Sequence, residues 1–210
     1  MINNILKQFI PALTPKQKAR KQFYSINLQQ TDIVIDCGAN VGRFTEYLCK
    51  TGATVYSFEP NPYAFKVLQD RFAAYSNVHC IQKGVSDIEA KAKLYLHENS
   101  GEDEIIWSTG SSLLSFKKNV LSEKYVTVEL IDLCEFIQSL NQQIRILKLD
   151  VEGVECPILR KIISTGISKK IDHTFVETHD HKIPELIAET NALRELIKNR
   201  KIGNINLNWT

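Results

Sequence analysis

The chain has 210 residues, 43% hydrophobic and 24% charged, so it is long enough to bury a core without disulfides or a structural metal. Its net charge of +2 comes from scattered basic residues, which argues against a nucleic-acid binder with one basic face. Five cysteines without Cys-x-x-Cys spacing, and no apolar run near the ~20 residues of a spanning helix, argue against a disulfide scaffold and an integral membrane protein and point to a reducing cytoplasm.

Residues 1–28 read as a helical extension broken at Pro11 and Pro15. Ile2, Ile5, Leu6, Phe9 and Ile10 fall at helical spacing, so this segment is expected to dock on the domain that fills 29–210. Met1–Pro11 is too short and too polar for a signal peptide. Lys16, Lys18, Arg20 and Lys21 form a short basic run that reads as a solvated helix face, with a membrane-surface or partner contact as the alternative.

A strand is expected at Asp32–Cys37, where Ile33, Val34 and Ile35 run without alternation, as in a strand covered on both faces. A glycine-containing turn follows, then a helix over 43–51, a second strand at Thr54–Phe58 and a helix started by Asn61-Pro62. A third strand is expected at Val78–Gln82, left through Lys83-Gly84-Val85-Ser86-Asp87. Strand and helix alternating in this way predict an α/β, doubly wound, mostly parallel sheet.

The middle of the chain differs. Lys91–His97 and Lys124–Leu130 alternate like an antiparallel pair, within an insert spanning about 90–131. The polar stretch between them carries Trp107, Ser111 and Ser112, and a connection of that length predicts a lid over the acceptor pocket, a simple surface β-hairpin being the rival reading. Lys117 and Lys118 read as an ordinary solvated pair, with contact to an acidic acceptor as the alternative. Further on come a helix from Asp132, a strand at Arg145–Leu149, a helix over 154–165, a strand at Asp172–Val176, a helix over 184–200 and a last strand at Asn204–Trp209.

Open α/β sheets bind ligands at the carboxyl ends of their strands. Acidic residues recur there: Asp36, Glu59, Asp87, Asp150, Glu152 and Glu177. The first loop, Asp36-Cys37-Gly38-Ala39-Asn40-Val41-Gly42, lacks both the dinucleotide G-x-G-x-x-G and the phosphate-loop lysine. Glu59 follows Gly38 at the spacing where an acidic side chain accepts both hydroxyls of a ribose. An adenosine ligand without pyrophosphate fits, and S-adenosylmethionine, with its cationic sulfonium and ammonium, suits acidic strand ends. Asp87 would accept from the adenine amine, although Ser-Asp is also a common turn.

Asp150 ends the strand expected beside the first, close to the donor methyl group. Its carboxylate could take a proton from an acceptor hydroxyl, stabilise developing charge or hold the donor's ammonium. Helix capping is the alternative for Asp150 and Glu152, and helix-dipole stabilisation alone would explain Glu155. Glu177 and His179 lie two apart on one strand face and could join Asp150 and Glu152 in an oxygen-rich cluster with one imidazole. Such a cluster would suit Mg2+ or Mn2+; His179 as a metal-free general base is the competing reading.

Asp36-x-Gly38-Ala39-Asn40-x-Gly42, Ser57-Phe58-Glu59-Pro60-Asn61-Pro62, Gly84-Val85-Ser86-Asp87, Ser111-Ser112-Leu113, Lys148-Leu149-Asp150-Val151-Glu152-Gly153-Val154-Glu155 and Val176-Glu177-Thr178-His179 resemble, in order, the signatures of the FkbM family of methyltransferases. The resemblance covers about residues 30–180. It implies S-adenosylmethionine as methyl donor, a Rossmann-like sheet with an antiparallel terminal strand, and O-methylation of glycans, sugars or other small molecules. The expected donor-binding residues are then Asp36, Gly38, Asn40, Gly42, Glu59, Asp87 and Asp150. The catalytic candidates are Asp150, Glu152 and His179, with no resident metal assigned. A non-catalytic S-adenosylmethionine-binding protein and an NAD-dependent oxidoreductase are the alternatives. The N-terminal helix and Trp209 are candidate contacts for a homo-oligomer.

Overall fold

The computed structural model describes residues 12–209, so the expected docking of Met1–Pro11 lies outside the described residues. Helix α1 (Pro15–Ser25) starts at a capping box: Thr14 Oγ1 accepts from the Gln17 amide, and the Gln17 side chain accepts from the Thr14 amide. Strand β1 (Ile33–Cys37) is buried along its whole length. Next come α2 (Arg43–Cys49), β2 (Thr54–Phe58), α3 (Pro62–Phe72) and β3 (Val78–Ile81). Asn61 Oδ1 caps α3 by accepting from the amides of Tyr63 and Ala64, and Pro62 takes the first helical position.

The segment 83–87, expected only as an exit from the third strand, forms a short strand, β4 (Gly84–Ser86). Three residues are too few to show a periodicity. This strand exists because it pairs parallel with a distant one, β6 (Val120–Asp132), which in turn pairs antiparallel with β5 (Ala90–His97). The result is a three-stranded second sheet, ordered β4-β6-β5. The chain then runs through α4 (Leu133–Ser139), β7 (Ile144–Leu149), α5 (Glu155–Ser164), β8 (Ile171–Val176), α6 (Ile187–Asn199) and β9 (Ile205–Asn206).

The main sheet has the order β3-β2-β1-β7-β8-β9, and every pair in it is parallel. The expected antiparallel terminal strand is therefore corrected: β9 runs parallel to β8, with Thr174 opposite Ile205. The α6 crossover carries the chain back to the start of the sheet, so β9 enters in the same direction as β8; an antiparallel partner would need a connection that stays at one end of the sheet. Successive strand residues point to opposite faces. Ile35 and Leu147 pack with α4 and α5 through Ile137 and Leu159, while Val34 and Ile146 pack with α1, α2 and α3 through Phe23, Leu48 and Leu68.

Trp209, expected as a candidate oligomer contact, is instead a core residue with 1% exposure. Its ring lies 4.6 Å from Phe23, 5.1 Å from Phe44 and 5.4 Å from Phe175, centroid to centroid. This cluster is what fastens α1 to the sheet. Trp209→Ala is expected to lower stability by about 3–5 kcal/mol, the usual cost of truncating a buried aromatic; urea unfolding followed by circular dichroism checks it. Among the described residues, no helix is long and apolar enough to cross a membrane.

Candidate active site

Strand order reverses between β1 and β7, and a crevice opens at the carboxyl ends of these strands. The loop after β1 holds Gly38 at φ +77° and Gly42 at φ +85°. A Cβ at Gly38 would overlap the Asp150 carbonyl oxygen, so only glycine lets the β1 and β7 loops cross this closely. A Cβ at Gly42 would strike Leu68 and Phe72 of α3, so Gly42 serves packing and does not face the crevice.

One continuous cavity runs along the crevice, its wall including Gly38, Asn40, Glu59, Ser111, Asp150 and Glu152. Glu59 is 6% exposed. Its Oε2 accepts from the Asn40 amide and its Oε1 from the Asn61 amide, both at 2.8 Å. Burial pushes the Glu59 carboxyl up to about 7, although the two amide donors pull the other way. Each oxygen keeps a lone pair, so the carboxylate is fixed and able to accept two further donors, such as a vicinal diol.

Asp36 does not line this cavity. It is fully buried beneath it, 3.0 Å from Lys148 Nζ, and accepts from Thr45 Oγ1 at 3.0 Å. Lys148, 2% exposed, also donates to the Gly38 carbonyl at 3.0 Å and stands 3.7 Å from Asp150. Burial works against its charge, but Asp36 and then Asp150 outweigh that and hold the ammonium above its ordinary pKa. The buried pair thus ties the β1 loop to β7. Asp87 also stays off the cavity wall; its carboxylate accepts from Ser86 Oγ and its backbone carbonyl from Lys161 Nζ.

The acidic cluster expected at the ends of β7 and β8 is assembled. His179 is 1% exposed. Its Nδ1 lies 2.8 Å from Glu155 Oε1, while its Nε2 lies 3.3 Å from Glu152, 3.7 Å from Asp150 and 3.9 Å from Glu177. Burial disfavours an imidazolium here, but Glu155, then Glu152 and Asp150, raise its pKa above the ordinary value. Glu152 sits at φ +58°, a backbone conformation non-glycine residues rarely adopt. Glu155 Oε1 also accepts from the amides of Val151 and Gly153, which fixes the loop carrying Asp150 and Glu152.

The insert lies on this site. It forms two short 3-10 turns, Glu98–Gly101 and Ile106–Gly110. Asn40 donates to Ser108 Oγ at 2.9 Å, Asn61 to Ser111 Oγ at 3.2 Å, and Ser112 Oγ to the Glu152 carbonyl at 2.7 Å. Lys117 is not solvated, as expected from the sequence, but 6% exposed, with Nζ 2.6 Å from Glu152 and 2.9 Å from the Gly110 carbonyl. Trp107 stacks on His97 at 4.4 Å and lines a second cavity, with Lys117, Lys118 and Lys182, on the far side of Glu152. Lys117 and Glu155 were the contributors hardest to read. Each reaches the site through one distant partner, Glu152 for Lys117 and His179 for Glu155, and a lone Lys or a first-turn Glu carries no local signal of that.

A cavity lined by a fixed carboxylate with room for two further donors and by two partly exposed carboxylates can hold a nucleoside and place an acceptor beside it. The sequence pattern of the family described as the Methyltransferase FkbM domain matches residues 36–202. The hexuronic acid methyltransferase AglP of Haloferax volcanii is 25% identical over 176 residues, covering 81% of this chain and 67% of AglP. The ribosomal RNA small subunit methyltransferase A of Thermotoga neapolitana is 35% identical over 66 residues, 31% of this chain and 25% of that protein. A solved FkbM methyltransferase from Methylobacillus flagellatus KT is 17% identical, with a TM-score of 0.45, over 70% of this chain and 32% of that one. The chain therefore spans about a third of the solved relative's length and two thirds of AglP's.

Proposed function

The chain belongs to the FkbM methyltransferase family, and from that premise we propose that it moves a methyl group from S-adenosylmethionine to a hydroxyl of a sugar or glycan, with an acidic sugar as the favoured acceptor. The observation that carries this reading is the single cavity joining Glu59 to Asp150 and Glu152 at the strand-order reversal. Family membership sets aside the oxidoreductase alternative, and the absence of a G-x-G-x-x-G loop agrees with it.

Bound S-adenosylmethionine would supply an electrophilic methyl on a sulfonium. Glu59 would accept from both ribose hydroxyls while the Asn40 and Asn61 amides hold it in place. Gly38, on the cavity wall, would place the β1 loop backbone beside the nucleoside. Asp87 would serve as an adenine contact only if the ligand extends past the β4 end of the cavity. Asp150 and Glu152, at 26% and 23% side-chain exposure, would receive the proton of the acceptor hydroxyl and orient it. His179, buried behind these two carboxylates and bonded through Nδ1 to Glu155, would steady the loop that carries them and would not be the direct base. Ser108, Ser111 and Ser112 of the insert would exclude water from the reacting atoms.

The acceptor class is supported by two observations. AglP acts on a hexuronic acid, and the second cavity combines Trp107 with the Lys118 ammonium, Lys182 beside it being held 3.0 Å from Glu177, so an aromatic face and a positive charge meet where an anionic sugar would lie. Scattered basic residues favour a small acceptor over RNA. The test is transfer of labelled methyl from S-adenosylmethionine to a panel of hexuronic acids, neutral hexoses and ribosomal RNA. Labelling of the hexuronic acids above the hexoses is expected. Labelling of RNA alone, or of nothing while the donor still binds, would overturn the acceptor assignment.

A further inference from the structure

We propose that Asp150, Glu152 and His179 form a binding site for one divalent cation of the Mn2+ or Mg2+ class. One ligand atom from each of the three lies within 4.8 Å of the other two. The Nε2 separations of 3.3 Å to Glu152 and 3.7 Å to Asp150 fall within the span of about 4.2 Å open to two ligands on one cation with bonds of about 2.1 Å.

The acidic cluster alone would not carry this. His179 supplies the second observation. Its ring is buried to 1% exposure, and Nε2, within 3.7 Å of both carboxylates, forms no hydrogen bond with either. A buried polar atom without a partner is costly and calls for an explanation. The other ring nitrogen is bound to Glu155, which is itself anchored by the Val151 and Gly153 amides. A carboxylate on Nδ1 that aims Nε2 outward is the arrangement that orients metal-ligating histidines. The positive φ of Glu152 turns its carboxylate toward the same point, and such strain is held where it serves a site.

Two carboxylates and one imidazole favour Mn2+ or Mg2+ over thiolate-seeking metals. Lys117 stands on Glu152 and repels a cation there, so the insert would tune the site's affinity. The site's existence rests on these contacts alone. Its use, lowering the pKa of an acceptor hydroxyl, rests on the methyl-transfer reading.

The experiment is titration of Mn2+ alone into the full chain, followed by loss of the free-ion electron paramagnetic resonance signal, so that no activity is needed. Saturable binding of one Mn2+ per chain is expected. Asp150→Asn and Glu152→Gln, both at partly exposed positions, should each weaken it at least about tenfold, and Lys117→Gln should tighten it several-fold. Circular dichroism confirms that the variants fold. No saturable binding below about 1 mM, or binding unchanged by Glu152→Gln, overturns the proposal.

Discussion

Asp150→Asn is expected to lower the methyl-transfer rate by about 100-fold to 10,000-fold while leaving donor affinity within about threefold. The asparagine keeps the shape of the side chain but cannot take a proton. Asp150 is the carboxylate that reaches the cavity from the end of β7, next to the Gly38 crossing, and it is the one that Lys148 approaches from below. Loss of rate with retained donor binding assigns Asp150 to the reacting atoms. A fall of less than about tenfold would mean that alignment alone drives the transfer. Steady-state kinetics with a saturating donor, combined with donor titration, separates the two.

The second large effect is on stability. Lys148→Met is expected to cost about 3–5 kcal/mol, because it strands Asp36 as an unpaired carboxylate with no exposed surface. The Asp36→Asn, Lys148→Met double variant should recover part of that loss, since it removes the buried charge together with its partner. Urea unfolding of the single and double variants measures both. A double variant as unstable as the sum of the two singles would show that Lys148 matters through its bonds to the Cys37 and Gly38 carbonyls and not through Asp36.

The parts of the fold legible in the sequence were those governed by local pattern. The unbroken Ile33-Val34-Ile35 run predicted a strand covered on both faces, and the β1 strand is buried throughout. Asn61-Pro62 predicted a helix start, and Asn61 caps α3. Gly38, Glu59 and Asp150 fall together because each follows a parallel strand, and parallel strands bring their ends to one edge. What was not legible depends on partners far away in the chain. The β4 strand needs β6 to exist, and the direction of β9 is set by the α6 crossover. Trp209, read as a contact for another copy, is claimed by Phe23 across nearly the whole sequence. Asp36 and Gly42 belong to the motif but face Lys148 and α3, so a motif position need not be a contact position.

The central claim is most directly tested by isothermal titration of the chain with S-adenosylhomocysteine, with NAD as control and Glu59→Ala as the variant. One site for S-adenosylhomocysteine and none for NAD are predicted, with affinity lost by about 100-fold or more in the variant, the cost of two charge-assisted hydrogen bonds. Affinity should also fall below the Glu59 carboxyl's raised value of about 7, because the protonated group no longer accepts from both hydroxyls. The loss should approach about tenfold per pH unit. Equal binding by wild type and Glu59→Ala, or binding of NAD in place of S-adenosylhomocysteine, would contradict the account.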